Sequence, residues 1–203
     1  MKVLGIIGSK RKKGNTTILV NQALKPFIEN GDTCEVIHLG SLTFEGCYGC
    51  EGCAKTNKCV LKDDMQPLYT KLREADAVIL GSPTYFYNMS SDMKKFIDRC
   101  YCFCTFSDDD RSQWISEFEN GKPKYAGIIA VCEQNSVDDM GYTAIAMRDA
   151  WRSLGFRNVF VQGALKAFRP GEINSQPDQV EAAYKNGVRL RETVKLARKA
   201  VKD

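Results

Sequence analysis

Val3-Leu4-Gly5-Ile6-Ile7-Gly8-Ser9-Lys10-Arg11-Lys12-Lys13-Gly14-Asn15-Thr16-Thr17 is the stretch from which the rest of the chain is read. Val3 to Ile7 is an unbroken apolar run that stops at a glycine. Such a run suits a central parallel strand buried on both faces. Beyond the basic run, Ile18, Leu19, Ala23, Leu24 and Phe27 are apolar at helical spacing. Asn15 or Thr16 is the expected cap of that helix. Pro26 is expected to bend or shorten it, and Gly31 suits its end. A strand that runs straight into a helix start leaves unpaired N–H groups and a positive dipole end facing outward, which is an anion site. Ser9, Asn15, Thr16 and Thr17 add hydroxyl and amide donors, and Arg11 adds a charged fork. The loop suits the terminal phosphate of a mononucleotide. It lacks G-x-G-x-x-G, which weakens a dinucleotide reading.

The same alternation continues along the chain. Strands are expected at Thr33–Leu39, Ala77–Gly81, Tyr125–Cys132 and Val159–Gln162. Helices are expected from Asp63 or Asp64 through Ala75, from Ser90 or Ser91 through Ile97, over Tyr142–Leu154, and over Asp178–Val201. Cys100 to Lys124 is the least regular part, and Gly163 to Pro177 reads as a loop. Five strands alternating with five helices give an α/β fold with a parallel sheet covered on both faces and connected right-handedly. The doubly wound strand order 2-1-3-4-5 fits, and it places a ligand at the strand tips beside the switch point between strands one and three.

Ser82-Pro83-Thr84-Tyr85-Phe86-Tyr87-Asn88-Met89 follows strand three and faces the first loop across that switch point. Pro83, Tyr85, Phe86, Tyr87 and Met89 offer apolar and aromatic surface, while Thr84 and Asn88 offer hydrogen bonds. This mixture suits a flat flavin ring. Cys132 to Ser136, after strand four, makes a third wall by position alone. Cys132 itself reads as a small buried hydrophobe.

Cys47-Tyr48-Gly49-Cys50-Glu51-Gly52-Cys53, completed by Cys59, has the spacing C-x2-C-x2-C-x5-C. Four thiolates at the corners of one compact cube are what a 4Fe-4S cluster requires. Gly49 and Gly52 let the backbone bend close to the sulfurs. Zinc also takes four cysteines, though usually as two separated C-x2-C knuckles. A disulfide framework is possible on paper, and partly or wholly unused thiols are the remaining reading. Cys100, Cys102 and Cys104 read as core or interface packing rather than a second metal site. Cys34 and His38, the only histidine, read as structural, and Asp108–Asp110 as a solvated turn.

The 203 residues fit one domain, 1–203, and 43% hydrophobic residues allow a sizeable core. A net charge of +4 with dispersed basic residues gives no argument for nucleic acid. No run approaches the roughly 20 apolar residues of a membrane span. Nine cysteines without a signal-like leader suggest reduced thiols and a cytoplasmic protein.

Gly8-Ser9-x-Arg11-x-x-Gly14-Asn15-Thr16, Ser82-Pro83-Thr84-Tyr85 and Met93-Lys94-x-Phe96-Ile97-Asp98-Arg99 resemble motifs of the flavodoxin-like NAD(P)H-dependent FMN reductases. With Cys47, Cys50, Cys53 and Cys59 added, the chain most resembles the iron–sulfur flavoproteins over most of residues 1–165. The resemblance implies a flavodoxin-like three-layer sandwich that binds FMN. It assigns Ser9, Arg11, Asn15, Thr16 and Thr17 to the phosphate loop and Pro83 to Met89 to the ring loop. It makes Cys47, Cys50, Cys53 and Cys59 ligands of a 4Fe-4S cluster near the flavin. It further implies a homodimer or homotetramer, with electrons passing between a ferredoxin-like donor, cluster and flavin. Two other functions fit the same residues. One is a cluster-free reductase using NAD(P)H on flavin or quinone; the other is a non-catalytic electron carrier or regulatory binding protein. The sequence shows no acid–base dyad, so no catalytic acid or base is named.

Overall fold

The computed structural model describes residues 1–200. Its main sheet is built from β1 (Lys2–Ile7), β2 (Thr33–His38), β3 (Ala77–Tyr85), β7 (Lys124–Val131) and β8 (Phe156–Ala164), all parallel, in the order β2-β1-β3-β7-β8. This is the expected order 2-1-3-4-5 of a flavodoxin-like sheet. A short β4 (Asn88–Met89) folds back antiparallel on the end of β3. Between β4 and β7, a separate hairpin pairs β5 (Cys104–Phe106) with β6 (Trp114–Ser116).

Side chains alternate across the central strands as a period of two requires. Leu4, Ile6, Val78, Leu80, Ala126 and Ile128 enter one core. There they meet α2 (Met65–Glu74), α3 (Ser91–Arg99) and α4 (Thr143–Ser153) through Leu68, Phe96 and Trp151. Val3, Ile7, Ile79 and Ile129 enter the other. There they meet α1 (Asn15–Glu29) and α5 (Pro177–Ala200) through Leu24, Phe27 and Leu190. The result is three layers. Gly187 lets α5 lie directly on α1, because a Cβ there would fall 2.1 Å from the Ala23 carbonyl oxygen. The expected end of the last helix, Val201, lies outside the described residues.

Local expectations fail where packing overrides composition. Neither Asn15 nor Thr16 caps α1; the cap position is Gly14, with no side-chain bond. Asn15 and Thr16 are instead buried inside the first turn. Pro26 does not shorten α1, which continues to Glu29 because Pro26 and Phe27 are buried on its packed face. Asp63 supplies a bond at the start of α2, accepting from the Met65 N–H at 3.1 Å, while Asp64 holds the cap position without one. α3 starts at Ser91, one of the two expected positions, and Ser90 caps it, its Oγ accepting from the Met93 N–H at 3.3 Å. The segment read as a loop over Ser82–Met89 is the end of β3, a tight turn and β4. Cys100–Phe103 forms a 3-10 turn, and Cys100, Cys102 and Cys104 are all buried.

Candidate functional site: a cleft and a thiol pocket

At the tips of β1, β3 and β7 lies a cleft of about 480 Å³. Ser9, Arg11, Gly14, Asn15 and Thr16 form one wall; Pro83, Thr84, Tyr85 and Phe86 form the opposite one. Val131 and Glu133 contribute a third side, and Ala167 and Phe168 a fourth. The cleft is therefore at the switch point, where a doubly wound sheet binds ligands.

The phosphate-type wall is held rigidly. Gly14 N–H donates to the Arg11 carbonyl at 2.8 Å, and Arg11 N–H to Ser9 Oγ at 3.2 Å. Thr17 does not line the cleft; its hydroxyl donates to the Arg11 carbonyl at 3.3 Å and braces the loop from behind. Below it, Ser90 Oγ donates to the Gly8 carbonyl at 2.8 Å, joining the tip of β1 to the start of α3.

The fourth side has no local signal in the sequence. Residues 165–176 carry no motif, yet the first loop is bonded to them. Arg11 Nη1 donates to the Phe168 carbonyl at 2.8 Å, and Asn15 Nδ2 to the Arg169 carbonyl at 3.0 Å. Asn15 Oδ1 accepts from the Ile173 N–H at 3.2 Å.

On the ring-type wall, Phe86 and Tyr87 form the turn between β3 and β4, both with positive φ (46° and 63°). Non-glycine residues rarely adopt this conformation, and two in succession mark a strained turn. Phe86 is fully exposed at the tip (99%). Thr84 Oγ1 is buried with no partner, although Thr84 borders the cleft. Tyr87, Asn88 and Met89 do not line the cleft. The Tyr87 carbonyl accepts from the Tyr142 N–H at 2.7 Å, Asn88 Oδ1 accepts from the Met89 N–H, and the Met89 side chain is buried in the α2–α4 core.

A second, small pocket is lined by Cys47, Cys50, Cys53 and Cys59 together with Tyr48, Arg99, Tyr101 and Cys102. The four thiols of the motif thus border one space, and Cys102 is a fifth that sequence spacing did not connect to them. Burial raises the Cys53 pKa, and the neighbouring Cys59, Cys47 and Cys50 thiols push the same way. Burial, then Cys59 and Cys53, push Cys102 up to about 12. Gly49, with φ of +64°, turns its N–H onto Cys47 Sγ at 3.4 Å. Glu51 ties the loop to the β5–β6 hairpin, paired with Arg111 at 3.0 Å and accepting from Tyr101 OH at 3.1 Å. All nine cysteines are free. Among the described residues, no group of three or more His, Cys, Asp or Glu side chains is arranged ready to hold a metal ion.

The two spaces share no lining residue. They lie at opposite ends of α3, which starts beside Gly8 and finishes at Arg99. The nine residues of this helix correspond to about 13 Å along its axis. Among the described residues no helix is long and apolar enough to cross a membrane.

A family model described as NADPH-dependent FMN reductase matches residues 1–136. Among curated proteins, an iron-sulfur flavoprotein of Methanocaldococcus jannaschii is 44% identical over 99 residues, covering 49% of this chain and 51% of that protein. One from Archaeoglobus fulgidus is 43% identical over 99 residues, covering 49% and 45%. The chain spans about half the length of the curated relatives it matches. Among solved structures, a flavone reductase superposes with a TM-score of 0.72 at 19% identity, over 96% of this chain and 63% of that one. A flavodoxin from the domain Archaea gives 0.59 at 18% identity, over 96% and 99%. At these identities the superpositions show the fold alone.

Proposed function

Because the chain belongs to the NADPH-dependent FMN reductase family, we propose that it is a flavoprotein oxidoreductase that binds FMN in the cleft and a 4Fe-4S cluster in the thiol pocket. One observation carries the flavin half: a donor-rich helix start faces a hairpin of aromatic surface across the switch point, and an unpartnered hydroxyl, Thr84 Oγ1, is buried beside the gap. The residues fit the group. Ser9, Asn15, Thr16 and the N–H groups of the α1 start bind the phosphate, and Arg11 neutralises it. Thr84 supplies a hydrogen bond to the polar edge of the ring, and Pro83, Tyr85 and Phe86 exclude water from its face. Thr17 holds the loop, and Phe168, tethered by Arg11, closes the far side.

The donor set of the thiol pocket is soft sulfur, the chemistry that selects iron–sulfur, zinc or copper(I) centres. Cys47, Cys50, Cys53 and Cys59 would hold the cluster. Metal ligation takes the thiolate form, so iron bound by these four side chains would displace their thiol protons. When bound, FMN accepts electrons singly or as hydride and a cluster accepts one, so the pair converts between one- and two-electron chemistry. The protein's own part is to bind, orient and shield both groups. In this reading the donor is a ferredoxin-like protein in the cytoplasm, with NAD(P)H as the competing hydride source, and the assembly is a homodimer or homotetramer.

Anaerobic visible spectroscopy tests this. The expected spectrum exceeds that of flavin and keeps a broad absorbance after the flavin is extracted. A spectrum that flavin alone accounts for, bleached rapidly by NAD(P)H, would replace the proposal with the cluster-free reductase.

A further inference from the structure

Arg99 is the last residue of α3, and its side chain is fully buried. Its Nη1 donates to the Glu45 carbonyl at 2.8 Å and to Asp63 Oδ2 at 2.5 Å, and Nη2 donates to Asp63 Oδ1 at 3.0 Å. Glu45 lies two positions before Cys47, and Asp63 four positions after Cys59. One guanidinium therefore grips both stems of the cysteine segment. Backbone bonds around it close the same neck: Thr43 N–H donates to Asp64 Oδ2 at 2.7 Å, and Asp64 N–H to the Thr43 carbonyl at 3.3 Å.

The Arg99 bonds to Glu45 and Asp63 engage Nη1 and Nη2 and leave Nε over. Arg99 Nε is buried and has no hydrogen-bond partner. Arg99 also borders the thiol pocket alongside Cys47, Cys50, Cys53 and Cys59. A buried charged donor without an acceptor is unfavourable, and an anionic sulfur-rich group in that pocket would relieve it. Charges act strongly over short distances away from water. A cluster held by four thiolates carries net negative charge, and one-electron reduction adds to it without making or breaking a bond.

We propose that Arg99 is the positioning residue of the thiol pocket: it clasps the loop shut before the cluster arrives, and its charge favours the reduced cluster, with the Asp63 carboxylate as counterweight. This rests on the cluster reading above. The electron comes from the one-electron donor of the ferredoxin-like class named there.

Two measurements test it. The first is an EPR-monitored redox titration of anaerobically purified wild type, Arg99→Gln and Asp63→Asn, after iron and sulfide have been counted in each. Arg99→Gln should move the oxidised-to-reduced ratio at fixed potential at least tenfold towards oxidised, about 59 mV for one electron. Asp63→Asn should move it the other way. Shifts of the same sign, or no shift in either, would overturn the electrostatic role. The second is hydrogen exchange on the metal-free protein, which does not depend on any cluster. Arg99→Lys keeps the charge but cannot fork; amides of residues 46–62 should exchange at least tenfold faster, with the sheet unchanged. Unchanged exchange over 46–62 would overturn the clasp. A wild type without iron would instead sink the cluster reading and the electrostatic role, while the exchange measurement still decides the clasp.

Discussion

Arg11 Nη1 donates to the Phe168 carbonyl at 2.8 Å, and the same guanidinium lies 5.4 Å from the centre of the Phe168 ring. The loop after β1 is thereby locked to the loop after β8 across the mouth of the cleft. A guanidinium has five N–H donors, so this tether leaves others for an anion. Arg11→Ala should weaken FMN binding by roughly ten- to a hundredfold, as removing a charged hydrogen bond of about 1.5–3 kcal/mol implies. Riboflavin, which lacks the phosphate, should lose much less. Fluorescence titration with both flavins checks this; equal losses would mean that Arg11 only shapes the loop.

Thr84 Oγ1 is buried and has no hydrogen-bond partner. Removing an unsatisfied hydroxyl should leave stability unchanged or slightly raised, while removing a ligand contact weakens binding. Thr84→Val is expected to keep or raise the melting temperature without FMN and to weaken FMN by about fivefold, near 1 kcal/mol. A stability loss with unaltered affinity would show that the hydroxyl serves the fold.

The Phe86–Tyr87 turn holds two non-glycine residues at positive φ. Asn-Gly is the pair such a two-residue hairpin turn prefers. Replacing Phe86 and Tyr87 with Asn and Gly should stabilise the flavin-free protein by about 2 kcal/mol through relief of strain. FMN affinity should fall in the same variant. If stability falls instead, the aromatic tip is held by packing rather than kept at a cost for binding.

Burial pushes the Asp63 carboxyl up, but the hydrogen bonds from Arg99 and the Met65 N–H outweigh it and hold its pKa below the usual carboxylate range. A carboxyl depressed in the folded state contributes stability above its unfolded pKa, near 3.9, and loses it as pH falls through the folded value. Wild-type stability should therefore drop more steeply than that of Asp63→Asn as pH is lowered from about 5 through that range. Urea unfolding at stepped pH measures the difference; parallel curves would deny the ion pair its contribution.

Lys124, buried at the start of β7, donates to the Leu72, Arg73 and Ala75 carbonyls at 3.1, 2.7 and 2.6 Å. It closes the C-terminal end of α2, where a cation is favoured and the last carbonyls have no helical partner. Lys124→Met should cost about 3 kcal/mol, since three acceptors lose a charged donor. Thermal unfolding tests this, and flavin affinity should be unaffected because the site is remote from the cleft.

Much of this architecture was legible. β1, β3 and β7 are buried on both faces, so each appears as an apolar run, and the helices between them carry clear periodicity. The two halves of the cleft could be paired because the sheet order brings the ends of β1 and β3 together. β8 was read too short because it alternates exposed and buried residues at the sheet edge. The β5–β6 hairpin has three residues per strand, too few to establish a period. Phe168 reaches the cleft by way of Arg11, a contact across 157 positions, and Arg99 meets Asp63 across 36. Such pairings come from the topology and leave no local signal. Cys102 joined the motif cysteines for the same reason: a 3-10 turn after α3 carries it to their pocket.

One chain is proposed to hold both a flavin and a sulfur-ligated iron centre. Anaerobic purification followed by counts of iron, acid-labile sulfide and flavin per chain tests it most directly. About four irons, four sulfides and one FMN per chain are expected, with iron lost in a Cys50→Ala variant that still retains FMN. Zinc in place of iron, or FMN with no metal, would contradict it.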